Sequence, residues 1–324
     1  MSTPEESILD RLRRSCREIA GTASFVRIDE ERIPAYAASL PAEQLRHLQM
    51  DPACHLLGRG EATAAFFLTL GAVNFGSGTF AELGIPPLQS GYRRIASALK
   101  DAFEEGGALS AADLSAVDAS SCLELFGLDP DQPAALELAA RYSRSLNQLG
   151  DWLLGRFGGT FSAPMAAARG SAPHLVTLLA EIPSFRDATR YRNLEIPFLK
   201  RAQLAVTDLY IAFGGRGLGR FVDIDRLTIC ADNLVPHVLR LDGILEYRED
   251  LSRRIEAGDP LPEGSAEEVE IRACAVHAAE LIVAELRRRD QAVNALRLDN
   301  LLWHRGQQPR YRLRPRHRTR TIFY

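Results

Sequence analysis

Along most of this chain, apolar residues return every three or four positions, the spacing that lays one stripe along an α-helix. After Ser265, the positions Val269, Ala273, Val276, Ala279, Val283 and Leu286 keep this spacing and predict a helix of about 25 residues or more. Ser265-Ala266-Glu267-Glu268 reads as the capping box that starts it. Thr3-Pro4-Glu5-Glu6 reads as another, with Ile8, Leu12 and Ile19 following on one face. Residues 61–74, rich in Ala, Phe and Leu, predict a buried helix, and 92–105, 111–118, 133–156 and 174–181 predict further helices. Alternation at every second position is scarce. It allows short strands near 24–28 and 158–161, with no strand-helix-strand rhythm. The expected fold is mainly α with few short strands: one domain over 1–324, without internal repeats. Small residues and prolines near 160–172 mark a seam between two helical lobes.

Composition changes this picture in three places. With 324 residues, 46% of them hydrophobic and 25% charged, the chain reads as soluble and able to bury a large core. Its longest apolar run, AAFFLTLGAVNF, is too short for a bilayer, and the N-terminus has no signal-peptide core, so a cytoplasmic protein without a membrane partner is expected. Five scattered cysteines without a CxxC pair argue against a disulfide framework and a structural zinc, and read as small buried hydrophobes. The net charge of −3 is uneven: residues 305–320 hold seven arginines and no acid. Such a tail can meet phosphates or lie over an acidic body, and its apolar end, TIFY, favours docking. Of the 39 basic residues only Lys100 and Lys200 are lysines. Where arginine is the default cation, a lysine marks chemistry that needs a compact ammonium with a movable pKa.

Gly214-Gly215-Arg216-Gly217-Leu218-Gly219 lacks the Gly-Lys-Ser/Thr of a phosphate loop and follows a helical pattern, so it reads as a tight turn between helices. The next stretch, FVDIDRLTICADNLVPHVLRLDGIL, places Asp223, Asp225 and Asp232 among apolar residues. Its segment ADNLVPHVLRLDG (231–243) resembles a helix, a tight turn and another helix, with Pro236 at a helix start and Gly243 at its end. A helix cap or surface ion pair accounts for any one of these acids. Two acids facing one cavity, Asp223 and Asp232, match N-glycosidic chemistry, whose oxocarbenium-like transition state a carboxylate stabilises. His55 precedes the 61–74 helix, and Asn74-Phe75 closes it, a polar hook and a ring beside a Gly-Ser-Gly loop. A structural role accounts equally well for a lone histidine.

The run FLKRAQLAVTDLYIAFGGRGLGRFVDIDRLTICADNLVPHVLRLDGILEY and the later EVEIRACAVHAAELI resemble the queuosine salvage proteins, which are queuosine 5′-phosphate N-glycosidases releasing queuine. Val73-Asn74-Phe75, Ser90-Gly91-Tyr92, Phe157-Gly158-Gly159, Ser184-Phe185-Arg186-Asp187, Leu298-Asp299 with Trp303, and the terminal RTIFY extend the likeness over nearly the whole chain. The resemblance implies a helical fold similar to helix-hairpin-helix DNA glycosylases and a hydrolysis without metal or organic cofactor. The family's F-x-D motif falls on Phe221 and Asp223, its A-D motif on Ala231 and Asp232, and its K-R-A-Q motif on Lys200 to Gln203. The tryptophan that the family places soon after Asn-Phe is missing, since Gly-Ser-Gly follows Phe75.

The expected substrate is a 7-deazaguanine nucleotide. Its base lacks N7, so the usual purine route of protonating that atom is closed. On this reading Asp223 is the catalytic carboxylate at C1′, and Lys200 binds the 5′-phosphate or stabilises Asp223. Asp232 accepts from donors of the base, Phe75 and Tyr92 sandwich it, His55 and Asn74 fix its polar edge, and Phe221 belongs to the binding motif. Two other classes fit the residues less well. One is a nucleic-acid glycosylase, which an acidic chain disfavours. The other is a non-catalytic module that binds a modified base. No stable nucleic-acid partner is expected.

Overall fold

The computed structural model describes residues 6–324 and contains, among them, sixteen α-helices and four short strands. The mainly α expectation holds. The chain forms two compact units: residues up to Leu48, Ala188–Lys200 and Asp225–Arg320 make the first, and Gln49–Asp187, Arg201–Ile224 and Thr321–Tyr324 the second. Residues 160–172 lie inside the second unit, and the divisions fall elsewhere.

In the first unit the helix Ala266–Arg288 is central, buried along most of its length, with Ile8–Ala20 and Ile33–Ser39 packed against it. Ser265 caps it by accepting from the Glu268 amide at 3.3 Å. Glu268 reaches the Gly264 amide (3.3 Å) and pairs with Arg272 (3.3 Å). The N-terminal capping box predicted at Thr3-Pro4-Glu5-Glu6 lies, except for Glu6, outside the described residues. The first helix starts at Ile8 behind Ser7 and buries Leu9, Leu12, Cys16 and Ile19.

Glu270, wholly buried, holds the unit's strands. One carboxylate oxygen accepts from the amides of Ser24, Phe25 and Val26 at 2.9, 2.6 and 3.2 Å, and the other accepts from the Tyr191 hydroxyl at 2.6 Å. Val26–Ile28, expected near 24–28, pairs antiparallel with Leu245–Tyr247. Ala188–Tyr191 pairs with Leu194–Pro197 in a hairpin the sequence pattern did not predict, because Arg192, not a glycine, takes the left-handed turn position (φ 52°).

In the second unit the helix Glu61–Val73 is buried on every side from Thr63 onward and packs on Pro133–Phe157 and Gly91–Glu105. Gly150 lets another helix, Ala111–Ala116, approach: a Cβ there would lie 2.4 Å from the Ser115 amide nitrogen. No strand forms at 158–161. Gly158 and Gly159 take left-handed conformations (φ 60° and 81°) and end the 133–157 helix instead. Arg201, wholly buried, closes the end of Glu61–Val73. It donates to the carbonyls of Ala72 (2.8 Å) and Ser184, and its guanidinium lies 4.8 Å from the Phe75 ring centre and 4.9 Å from that of Phe185. Burial pushes its pKa down to about 9, against the opposing pull of Asp187.

The arginine-rich tail docks. Arg305 and Arg310 pair with Asp242 at 3.0 and 3.3 Å, and the same carboxylate accepts from the hydroxyls of Tyr36 (2.8 Å) and Tyr311 (2.7 Å). The Leu261 amide donates to the Arg318 carbonyl at 2.8 Å. In the second unit, Gly76 donates to the carbonyl of the buried Tyr324 at 3.2 Å. All five cysteines are buried, as expected, and none of them is in a disulfide bond. No helix of the described residues is long and apolar enough to cross a membrane.

Candidate active site

In the first unit, the stretch 228–233 forms no helix, so the first helix expected at the start of 231–243 is absent. Its backbone groups find side chains instead. The Cys230 amide donates to Asp299 Oδ1 at 2.8 Å, and Arg272 Nε donates to the Ala231 carbonyl at 2.9 Å. The Arg272 guanidinium lies 3.9 Å from the centre of the Phe198 ring, which fixes it further. Asp232 Oδ1 accepts from the amides of Leu234 (2.7 Å) and Val235 (3.2 Å), so the carboxylate caps the helix Val235–Leu241. Pro236 starts that helix and Gly243 ends it at φ 78°, both as the sequence predicted.

The other oxygen of Asp232 faces Lys200. Nζ to Oδ2 is 3.8 Å, and both side chains are largely buried, at 6% and 16% exposure. The residue before the lysine, Leu199, is buried with φ 50°, a conformation costing a non-glycine residue roughly 1–2 kcal/mol. Strain of this kind collects where a side chain must be aimed. Asp299 completes the group. Burial pushes its pKa up to about 7, and the like charge of Asp232 adds to this, while the Cys230 amide and Lys200 pull the other way. Arg316 faces Asp232 from the tail, its pKa lowered by burial. Two carboxyl groups therefore share one ammonium in a nearly dry corner. Among the described residues no cluster of three metal-ligating side chains exists.

In the second unit, Asp223 lies where the chain crosses the start of the helix Ala172–Leu179. Its Oδ2 accepts from Ser171 Oγ at 2.8 Å and its Oδ1 from the Ala172 amide at 2.7 Å. Ser171 is the helix cap, so Asp223 also sits at the end of the helix dipole that attracts negative charge. Its neighbours alternate: Phe221 is buried and Val222 is exposed. The glycine-rich segment before it packs on its own preceding helix, Lys200–Ala212. A Cβ on Gly219 would lie 2.4 Å from the Leu209 carbonyl oxygen, which accounts for the glycine without a phosphate.

His55 and Tyr92 are joined. Nε2 of His55 is 2.7 Å from the Tyr92 hydroxyl, and Nδ1 accepts from the Asp51 amide at 3.0 Å. The backbone donor fixes the tautomer, so Nε2 carries the proton and gives it to Tyr92. Burial lowers the His55 pKa to about 4 and raises that of the Tyr92 phenol. Both ring nitrogens of His55 are spent inside the unit. Phe75 is buried, with Arg201 over its ring and Tyr142 edge-on at 4.9 Å, so its faces serve the core in this structure. Asn74 ends the helix Glu61–Val73, half-buried, and its side-chain amide makes no hydrogen bond among the described residues.

The structure thus brings Lys200 and Asp232 together in one unit, and holds Asp223, His55, Asn74, Phe75, Tyr92 and Phe221 in the other. Sequence reasoning missed two functional candidates. Asp299 was noticed only as part of a motif, and its burial beside Asp232 depends on a contact 67 residues along the chain. Asp208, a carboxylate acting on Tyr92, gave no signal beyond its place in a helical pattern.

Residues 54–324 match the family model described as queuosine salvage protein. The chain is 37% identical over 313 residues to the queuosine 5′-phosphate N-glycosylase/hydrolase of Sphaerobacter thermophilus, covering 95% of this chain and 96% of that protein. It is 30% identical to the Mus musculus protein of the same name, over 96% of this chain and 98% of the other. The Dictyostelium discoideum protein of that name is 34% identical over 266 residues, covering 82% of this chain and 79% of its own length. The chain belongs to the queuosine salvage protein family.

Proposed function

We propose that this protein hydrolyses the N-glycosidic bond of queuosine 5′-phosphate, giving queuine and ribose 5-phosphate. The observation that carries the chemistry is the buried ion pair of Lys200 and Asp232 at 3.8 Å. A partly desolvated carboxylate held by two backbone amides stabilises positive charge at C1′ more strongly than it would in water. The ammonium lies 3.8 Å from that carboxylate's Oδ2 and holds its orientation. The sequence favoured Asp223 for this role, but its hydrogen bonds favour Asp232. Both Asp223 oxygens already serve the start of a helix, whereas Asp232 Oδ2 is left facing the lysine. Asp232 either attacks C1′ or takes the proton from an attacking water.

The base leaves as a 7-deazaguanine. With no N7 to protonate, the barrier falls mainly through stabilisation of the sugar cation and of the departing base. In the second unit, Asp223 is proposed as a support of the loop that carries it. The test is turnover of queuosine 5′-monophosphate by purified protein without added metal, with Asp232→Asn and Asp223→Asn compared at equal folded concentration. The reading expects Asp232→Asn to lose about 10²–10⁴-fold in kcat. Full kcat in Asp232→Asn would refute it. No release of base by the wild type, with stoichiometric queuine binding, would replace an enzyme by a binding module.

A further inference from the structure

Two helices of the first unit, Ala266–Arg288 and Ala295–Gly306, are joined by a loop whose backbone is pinned at both ends. The amides of Asp290 and Gln291 donate to the carbonyls of Arg287 and Leu286, each at 3.1 Å, and Arg287 Nε donates to the Val293 carbonyl at 3.0 Å. Asn294 then caps the second helix by accepting from the Arg297 amide at 3.0 Å. Between this loop and the short helix Ala42–Arg46 lies a cavity of about 350 Å³. All its walls belong to the first unit. The volume is at the small end of the range for small-molecule pockets, so a compact ligand fits it.

The walls carry three kinds of chemistry. One wall has two guanidinium groups. Arg297 is immobilised: Nη1 donates to the carbonyls of Leu45 (3.1 Å) and Arg46 (2.7 Å), while Nε and Nη2 donate to no acceptor among the described residues. Arg46 is exposed and makes no ion pair among the described residues. Another wall has two acceptors. Gln291 Oε1 is buried and has no hydrogen-bond partner among the described residues. Asp290 beside it makes no ion pair among them either, and its backbone is left-handed at φ 58°, an unfavourable conformation for a residue other than glycine. The third wall is apolar, made by Ala42, Ala292 and Val293. A buried acceptor without a donor is destabilising, and a ligand that brings a donor to Oε1 removes that penalty.

We propose that this cavity binds an aliphatic α-amino acid. The carboxylate of the ligand pairs with Arg297 and Arg46, whose planar donor forks match it. Its ammonium, which only donates, bonds to Gln291 Oε1 and the Asp290 carboxylate. Its side chain covers Ala42, Ala292 and Val293. A simple anion would leave Oε1 without a donor and would face Asp290 as a like charge. A simple cation would meet two guanidinium groups. A zwitterion satisfies both walls at once. Arg297 precedes Asp299 by two residues, which sets the two side chains about 200° apart around their helix, so this site is separate from the Lys200 corner.

The experiment is calorimetric titration of the whole protein with L-leucine and L-valine, and with two fragments of leucine. Isocaproate lacks the ammonium and isoamylamine lacks the carboxylate. At least one amino acid should bind with a Kd of about 1 mM or tighter, and each fragment about tenfold more weakly or worse. Arg46→Gln, at an exposed position, should weaken the amino acid about tenfold or more. Gln291→Leu replaces the unpartnered oxygen with an apolar group of similar size. It should abolish binding while leaving the denaturation midpoint unchanged or higher, so lost binding is told apart from lost folding. Asp290→Asn keeps a residue that tolerates the left-handed conformation and should also weaken binding about tenfold. No binding of either amino acid up to about 10 mM would overturn the proposal. So would a fragment that binds as tightly as L-leucine, or wild-type affinity in Gln291→Leu. The readout is binding alone, so the result stands apart from whether the protein releases base from the nucleotide.

Discussion

Lys200 is one of two lysines among 39 basic residues, and its place in the fold explains why arginine did not replace it. A compact ammonium fits a corner shared by two carboxyl groups, whereas a planar guanidinium needs room for a five-donor fork. Lys200→Arg therefore keeps the charge yet should lower kcat at least tenfold, about 1.4 kcal/mol of transition-state stabilisation. Steady-state kinetics at saturating nucleotide checks this, and an unchanged kcat would mean that charge alone suffices. Asp299 carries a stability signature as well. Its pKa rises on folding from the ordinary 3.8 to about 7, so the folded state binds more protons than the unfolded state across that window. Its contribution is complete below about pH 4 and is lost as pH rises toward 7. The stability of the wild type relative to Asp299→Asn should accordingly fall between pH 4 and 7, as read from chemical denaturation. The lysine's importance was legible from composition. The role of Asp299 was not, because burial and a like-charged neighbour 67 residues away have no local sequence signature.

At the scale of elements, the periodic segments were legible and the irregular ones were not. The helices near 61–74, 92–105 and 133–156 follow from apolar spacing and form as Glu61–Val73, Gly91–Glu105 and Pro133–Phe157. The stretch 228–233 has the same apolar richness yet forms no helix, and Asp299 and Arg272 supply partners to its Cys230 amide and Ala231 carbonyl from elsewhere in the chain. Asp223 shows the limit from the other side. Its apolar flanks marked it as unusual, but they could not show that its oxygens serve Ser171 and Ala172. Asp223→Ala removes that support and should cost about 0.5–2 kcal/mol, measurable as a shift in the denaturation midpoint. A loss of kcat as large as that of Asp232→Asn, without a stability change, would return Asp223 to the catalytic role. Arg201 joins the end of one helix to the Ser184 turn. Arg201→Met leaves the Ser184 carbonyl without this donor, while Ser145 Oγ still donates to the Ala72 carbonyl, and should destabilise by roughly 1–3 kcal/mol.

At the scale of the whole molecule, uneven charge and buried histidines set the behaviour. Tail arginines are matched to acids of the first unit, with Arg305 and Arg310 on Asp242 and Arg314 3.9 Å from Glu256. The sequence allowed this arrangement but could not distinguish it from a free basic tail. Burial holds His55 and His237 at about 4 and His317 at about 3, all below the usual 6.5. Each is neutral when folded and binds a proton more readily when unfolded. The stability they support is present above about pH 6.5 and is lost as pH falls toward 4. Three such groups oppose the single contrary slope of Asp299, so stability should rise overall from pH 4 to 6.5. A denaturation midpoint that is flat or falling over this range would contradict the burial of these rings.

The most direct measurement is free queuine released from queuosine 5′-monophosphate by the wild type and by Asp232→Asn, followed by chromatography through many turnovers. The account predicts multiple-turnover release by the wild type, and at most about a hundredth of that rate from a folded Asp232→Asn that still binds the nucleotide. Release by Asp232→Asn at the wild-type rate, or none by the wild type, would contradict it.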